Sequence, residues 1–237
     1  MKTFCRICAT FILAGLLCGF GAKPQTTSSG VCGLECVLKK MDEAAANFHS
    51  VQADFVWDQY QRVVDEHDIQ TGTVYYRRTG EKIEMMAEIK SPLQKFMLYK
   101  DGKLQVYQPG MEQVLVYPTG GNRSEIETYL VLGFGGSGED LTKAFDVSYL
   151  GEETIGNIAT GKLQLIPKSA KIRNDYFSKA LLWIDLSRGI SVQQEFMQGE
   201  GDYRLAKYSD IRVNTKIGND VFRLKTTGKT QFVSPRG

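Results

Sequence analysis

Histidine is the scarcest informative residue in this chain. His49 and His67 are the only two among 237 residues. One falls near the expected exit of a helix and the other in a polar turn. Two separated histidines argue against a Ser/His or Cys/His relay, which needs a base beside its nucleophile. They also argue against a metal site, which needs more ligands than the remaining residues cluster to supply. Residues 133–138 are glycine-rich but lack the Gly-Lys-Ser/Thr ending of a phosphate loop. Gly136-Ser137-Gly138 is no nucleophile elbow, because Glu139 stands where the last glycine belongs. Carboxylates are plentiful but scattered, and none is nominated for acid–base work. These absences argue against an enzyme and give no reason to expect a cofactor.

Long apolar runs are confined to the N-terminus. Lys2 and Arg6 precede the apolar run 9–18, which is too short to span a bilayer comfortably. Gly19 and Gly21 supply small residues at the −3 and −1 positions of a cleavage site. Residues 1–22 therefore read as a secretion signal, and 23–237 as one exported, soluble domain in the periplasm. Lipid anchoring at Cys18 is the weaker alternative, since the bulky Leu17 precedes it. Without Lys2 and Arg6 the 29 basic residues fall to 27, matching 27 acidic ones. A balanced charge argues against nucleic acid as a partner. Of five cysteines only Cys32 and Cys36 outlast the leader. They read as a local disulfide or as two unpaired thiols near a helix start.

What is present is strand pattern. Residues 91–109 hold two apolar-rich runs around Asp101-Gly102, a strong hairpin signal. Before it, apolar residues from Leu34 to Phe48 recur at three- and four-residue spacing and predict an amphipathic helix. From Val51 the period changes to two, with a turn at 65–68 and strands over 70–78 and 82–89. On the strand over 70–78, Val74, Tyr76 and Arg78 share one face. A further strand covers 113–117. Strands resume at 145–150, 160–166, 180–185, 190–197 and 203–214, with 221–224 and 231–233 as short closing pieces. Residues 167–174 read as a polar loop. About eleven strands without a repeat or linker predict an α+β fold whose sheet is an incomplete, curled antiparallel barrel.

The pattern breaks at 122–134. Ser124-Glu125-Ile126-Glu127 fits a capping box, and Ile126, Tyr129 and Leu130 share a helical face that Phe134 widens. Two readings stand: a helix plugging the barrel, or a lid over an apolar cavity. Tyr75-Tyr76, Met85-Met86 and 96–99 put apolar groups on both strand faces, so both need covering. A cavity for variable apolar ligands and a tightly packed core both satisfy that demand.

The ordered set of local patterns resembles the periplasmic outer-membrane lipoprotein carriers, the LolA-like proteins. Phe48-His49-Ser50-Val51-Gln52-Ala53-Asp54-Phe55 is similar to that family's entry into its first strand. Gly72-Thr73-Val74-Tyr75-Tyr76-Arg77-Arg78, the Asp101-Gly102 hairpin and Leu163-Gln164-Leu165-Ile166-Pro167-Lys168 follow in the family's order. The resemblance spans about 37–226. It implies helices lidding the concave side of the barrel and a cavity for lipoprotein acyl chains. Val74, Tyr76, Phe96, Leu98, Ile126, Tyr129, Leu130 and Phe134 would form the lipid-binding face and lid. Arg78 matches an inward arginine that bonds the lid, although Thr79-Gly80 follows it where the family has proline. The implied partners are acylated lipoproteins, an inner-membrane ABC-type releasing complex and an outer-membrane receptor, with the carrier itself a monomer. Other roles on the same fold are a LolB-like receptor, an envelope-stress sensor and a specialised envelope-lipid carrier.

Overall fold

Two antiparallel meanders share one sheet. A computed structural model describes residues 32–80, 82–118 and 132–234. The first meander runs through β1 (Ser50–Gln61), β2 (Glu66–Thr79), β3 (Lys82–Ser91), β4 (Lys95–Lys100), β5 (Lys103–Gln108) and β6 (Gln113–Pro118). The second comprises β7 (Phe145–Ile155), β8 (Ile158–Pro167), β9 (Lys179–Asp185), β10 (Ser191–Met197) and β11 (Tyr203–Val213). Antiparallel pairing of β1 with β11 joins them. A short β12 (Gln231–Val233) adds to β6 in parallel, so the twelve-stranded sheet is mixed. It curls without closing, and β12 and β7 are its edges.

The helices among the described residues are α1 (Leu34–Ala46), α2 (Gly138–Ala144) and α3 (Ala170–Asp175). Helix α1 follows the predicted stripe. Val37 and Met41 bury against Leu163, Leu165, Leu182 and Ile184 on β8 and β9, forming the largest cluster with Leu141 of α2 and Ile172 of α3. We call the face that α1 covers the inner face. Cys32 and Cys36 are disulfide-bonded at the start of α1. The Cys32 N–H donates to Glu152 Oε1 of β7 at 3.0 Å. Neither α2 nor α3 is expected from the sequence, where 133–138 and 167–174 read as loops. Both are short and are nucleated by an N-cap serine: Ser137 accepts from the Asp140 N–H, and Ser169 from the Ile172 N–H.

The central hairpin forms as its turn residues dictate. Asp101 and Gly102 take φ of 49° and 70°, the left-handed pair that a two-residue hairpin loop demands. The first turn departs from expectation. It lies at 62–65, with φ of 52° at Asp65, so β2 begins at Glu66 and is fourteen residues long. Curling is permitted at Gly72, beside a register shift between β2 and β3. A Cβ there would lie 2.0 Å from the Glu88 carbonyl oxygen and 2.7 Å from the Phe55 ring, so only glycine lets strand and ring approach.

The opposite, outer face has its own cover. Asn214, with φ of 58°, turns the chain after β11, and its side chain bonds the His49 N–H and the Asn47 carbonyl, both at 2.8 Å. The segment that follows crosses the sheet and places Ile217 and Phe222 on Met86 and Leu98. Residues 221–224, expected as a closing strand, are this cover rather than a strand. Arg77 fastens it by donating to the Ile217 carbonyl at 3.1 Å and to Asn219 Oδ1 at 2.8 Å, with its guanidinium 4.5 Å from the Phe222 ring.

Candidate inner-face site and its arginine tie

Alternation along β2 fixes the site. Odd and even residues of a strand point to opposite faces, and Val74, Tyr76 and Arg78 fall on the inner one. Val74 packs with Ala53, Phe55, Ala87 and Ile89. Tyr76 is 1% exposed and packs with Phe48, Val51 and Phe134. Phe134 closes this cluster by standing edge-on to the Tyr208 ring at 4.7 Å. Leu132 joins the cluster under α1.

The segment 132–136 is tied down by its own carbonyl groups. The Ser191 N–H donates to the Gly133 carbonyl at 2.7 Å. The Gln194 side-chain amide donates to the Leu132 carbonyl, and Tyr208 Oη donates to Gln194 Oε1 at 3.3 Å. Arg78 Nη2 donates to the Gly135 carbonyl at 2.9 Å, and the Arg78 guanidinium lies 6.0 Å from the Phe48 ring. An inward arginine needs acceptors to offset its desolvation, and here the acceptor is main chain. Gly135 has φ of 78°, and a Cβ on it would sit 2.3 Å from the Phe48 ring. The close approach of loop, ring and guanidinium therefore requires glycine at that position.

The remaining residues singled out from sequence divide. Phe96 and Leu98 do not join Val74 and Tyr76. Leu98 packs with Met86 on the outer face beneath Ile217 and Phe222, and Phe96 packs against the same cluster. Inner-face neighbours on β4 are instead Met97 and Tyr99, placed by pairing with Ala87 and Met85. One residue of register separates the two assignments, and the apolar run 96–99 carries no alternation to choose between them. Ile126, Tyr129 and Leu130 lie outside the described residues.

The inner face is open toward its other end. Trp57, Met97 and Tyr208 are half-buried there, and Arg204 is exposed. A cavity of about 480 Å³ opens at the β2–β5 side of this end, lined in part by Asp68, Gln70, Lys95, Gln108, Pro92 and Met111. Val74 and Tyr76 do not line it; they lie in the packed part of the face. Desolvation pushes the Tyr208 hydroxyl up to about 12, against the opposing effects of the Arg204 charge and the Trp57 indole hydrogen bond. It stays a neutral donor at any ordinary pH. Sequence reading missed Ser191, Gln194 and Tyr208. The one available signal, same-side placement of Arg204, Ala206 and Tyr208 on β11, has no clean polarity. Among the described residues no cluster of three His, Cys, Asp or Glu side chains is placed to hold a metal, and no helix is long and apolar enough to cross a membrane.

No known family's sequence model matches the chain, and no characterised protein matches it by sequence. Solved structures do match its fold. An uncharacterized conserved protein from Thermus thermophilus aligns with a TM-score of 0.53 at 13% identity, over 85% of this chain and 98% of that one. MucB aligns with a TM-score of 0.50 at 14% identity, over 84% of this chain. The match spans only 64% of MucB's own length. These two likenesses establish a shared fold. Structural neighbours also include a LolA superfamily protein from Nitrosomonas europaea, at 16% identity over 81% of this chain and 98% of that one, with a TM-score of 0.40.

Proposed function

We propose that this chain is a periplasmic carrier that holds the acyl chains of lipoproteins on the inner face of its curled sheet and shuttles them from inner to outer membrane. The observation that carries this reading is the Arg78–Gly135 tie. A charged side chain placed among aromatic groups is costly unless satisfied, and a main-chain acceptor on a glycine loop is one that movement can withdraw. The tie holds Phe134 over Tyr76 and keeps the apolar face covered while empty. Opening it exposes Phe48, Tyr76 and Val74 to cargo.

The energetics suit a carrier without covalent chemistry. Acyl burial contributes about 0.8 kcal/mol per methylene, so one ordinary chain resists crossing water by on the order of 10 kcal/mol. The inner face offsets most of that cost. Release then follows from a receiver that binds the chains better, since a ligand moves an equilibrium only by differential affinity. In this scheme residues 1–22 direct export and are removed. An inner-membrane ABC-type releasing complex supplies cargo, and an outer-membrane receptor accepts it.

Replacing Arg78 by Leu tests the reading. The variant removes the donor but keeps the aliphatic bulk, so the open state gains population. Retention of an acylated lipoprotein, followed by transfer to acceptor membranes, is expected to lengthen relative to wild type. Equal transfer by both proteins would take Arg78 out of the mechanism.

A further inference from the structure

The open end of the inner face carries a cation with no ion pair among the described residues. Arg204 of β11 lies opposite Phe196 on one side and Gln59 on the other. Its guanidinium is 5.3 Å from the Phe196 ring, and it shares its face with Ala206 and Tyr208. Ala206 pairs with Trp57, which carries the apolar surface on to β1. The side chain is exposed, and among the described residues no carboxylate pairs with it. Across the sheet the acidic group in register is Asp68, two strand spacings away beyond Gln59, or about 10 Å; along the chain, Asp202 accepts from the Arg62 N–H at 2.8 Å. Asp68 already accepts from the Gln70 side-chain amide at 2.6 Å.

Another inner-face cation of this end, Lys95, lines the adjoining cavity with Gln70, Gln108 and the Asp68 carboxylate. Some exposed cations elsewhere are paired, as Arg212 is with Asp210, Lys143 with Glu139 and Lys171 with Asp175, while others, such as Lys207 and Arg223, stand exposed on no aromatic slope. Arg204 differs by standing where an aromatic, apolar slope meets water.

We infer that Arg204 receives the anionic headgroup of an amphiphile, phosphate or carboxylate, whose chains lie along Trp57 and Tyr208. The planar guanidinium suits such a group because it donates two parallel hydrogen bonds to paired oxygens. An aromatic floor favours the attached chain, whereas a bare inorganic anion would give up hydration for one contact. The inference rests on the acyl-binding reading of the inner face. It adds that the preferred cargo bears a negative charge beside its chains.

Native mass spectrometry of the full chain, offered equimolar dioleoylphosphatidate and dioleoylglycerol, separates the two ideas. The lipids share their chains and differ by the phosphate. A second pair, oleate and oleyl alcohol, asks the same of a carboxylate. Wild type is expected to retain the anionic member of a pair by about tenfold or more, the scale of a charge-assisted hydrogen bond. Arg204→Met keeps the stem and is expected to bring that ratio close to one, while Arg204→Lys keeps part of the preference. Millimolar inorganic phosphate is expected not to displace the bound lipid. The readout is a ratio within one folded population, so partial loss of stability does not mimic the effect. An unchanged ratio in Arg204→Met, or displacement by inorganic phosphate, would overturn the inference and leave acyl binding intact. Binding of neither member of either pair to wild type would overturn acyl binding and this inference together.

Discussion

At the scale of single residues, two positions bear most weight. Gly135 holds a left-handed conformation beneath the Phe48 ring while its carbonyl accepts from Arg78. Gly135→Ala is expected to destabilise the protein by about 1–3 kcal/mol, through strain at positive φ and the collision with Phe48. Urea denaturation measures it, and an unshifted midpoint would show that the loop accommodates a Cβ. Asp185 is a second such position. Burial acts to raise its pKa, but hydrogen bonds from Ser187 and Arg188 outweigh burial and hold it below 3.8. The Arg188 Nε lies 2.6 Å from its Oδ2. A carboxyl whose folded pKa is depressed stabilises the fold above its unfolded pKa, and that contribution is lost as pH falls through the folded value. Wild type is therefore expected to lose stability progressively below about pH 4. Asp185→Asn should start less stable at neutral pH and show a shallower decline. Parallel stability curves for the two proteins would remove Asp185 from the acid response.

At the scale of elements, the outer cover makes the sharpest claim. Phe222 is 1% exposed, packs on Met86 and Leu98 and lies beneath the Arg77 guanidinium. Phe222→Ala is expected to cost about 3–5 kcal/mol, the usual loss for a buried phenylalanine. A denaturation midpoint near that of wild type would mean that the segment is only loosely applied. This element also marks where sequence reading stopped. Strands β1 to β3 were legible because their side chains alternate, and β3 to β6 because Pro92, Asp101-Gly102 and Pro109 punctuate their turns; the β1–β2 turn at 62–65 carries no such residues and was placed too late. Helix α1 was legible because its apolar stripe has one period. The segment 214–230 has neither period, and its value comes from contacts with strands far away in the chain. For the same reason Phe96 and Leu98 could not be assigned a face. Apolar neighbours on both sides of β4 are satisfied by different covers, and only the tertiary fold tells which residue meets which.

At the scale of the whole molecule, an unclosed sheet with separate covers on its two faces suits a protein that must admit and release a large apolar group. A closed barrel has no edges to part, and a sheet with a single cover could not expose one face while keeping the other packed. Here the outer cover is fastened by Arg77 and the inner one by Arg78, two adjacent residues of β2 pointing opposite ways. The curled sheet, the shared face of Val74 and Tyr76 and the need to cover both faces were readable from residues alone; that this face points inward came from the family resemblance. The pairing of β1 with β11, which joins the two meanders, was not, since it links strands from opposite ends of the domain. The central claim is that the inner face carries acyl chains. Native mass spectrometry of the mature chain, after incubation with lipoprotein-bearing inner membranes, a releasing complex and ATP, tests it most directly. The account predicts a soluble one-to-one complex with an acylated lipoprotein, retained longer by Arg78→Leu. An empty protein, under conditions in which a known carrier loads, would contradict it.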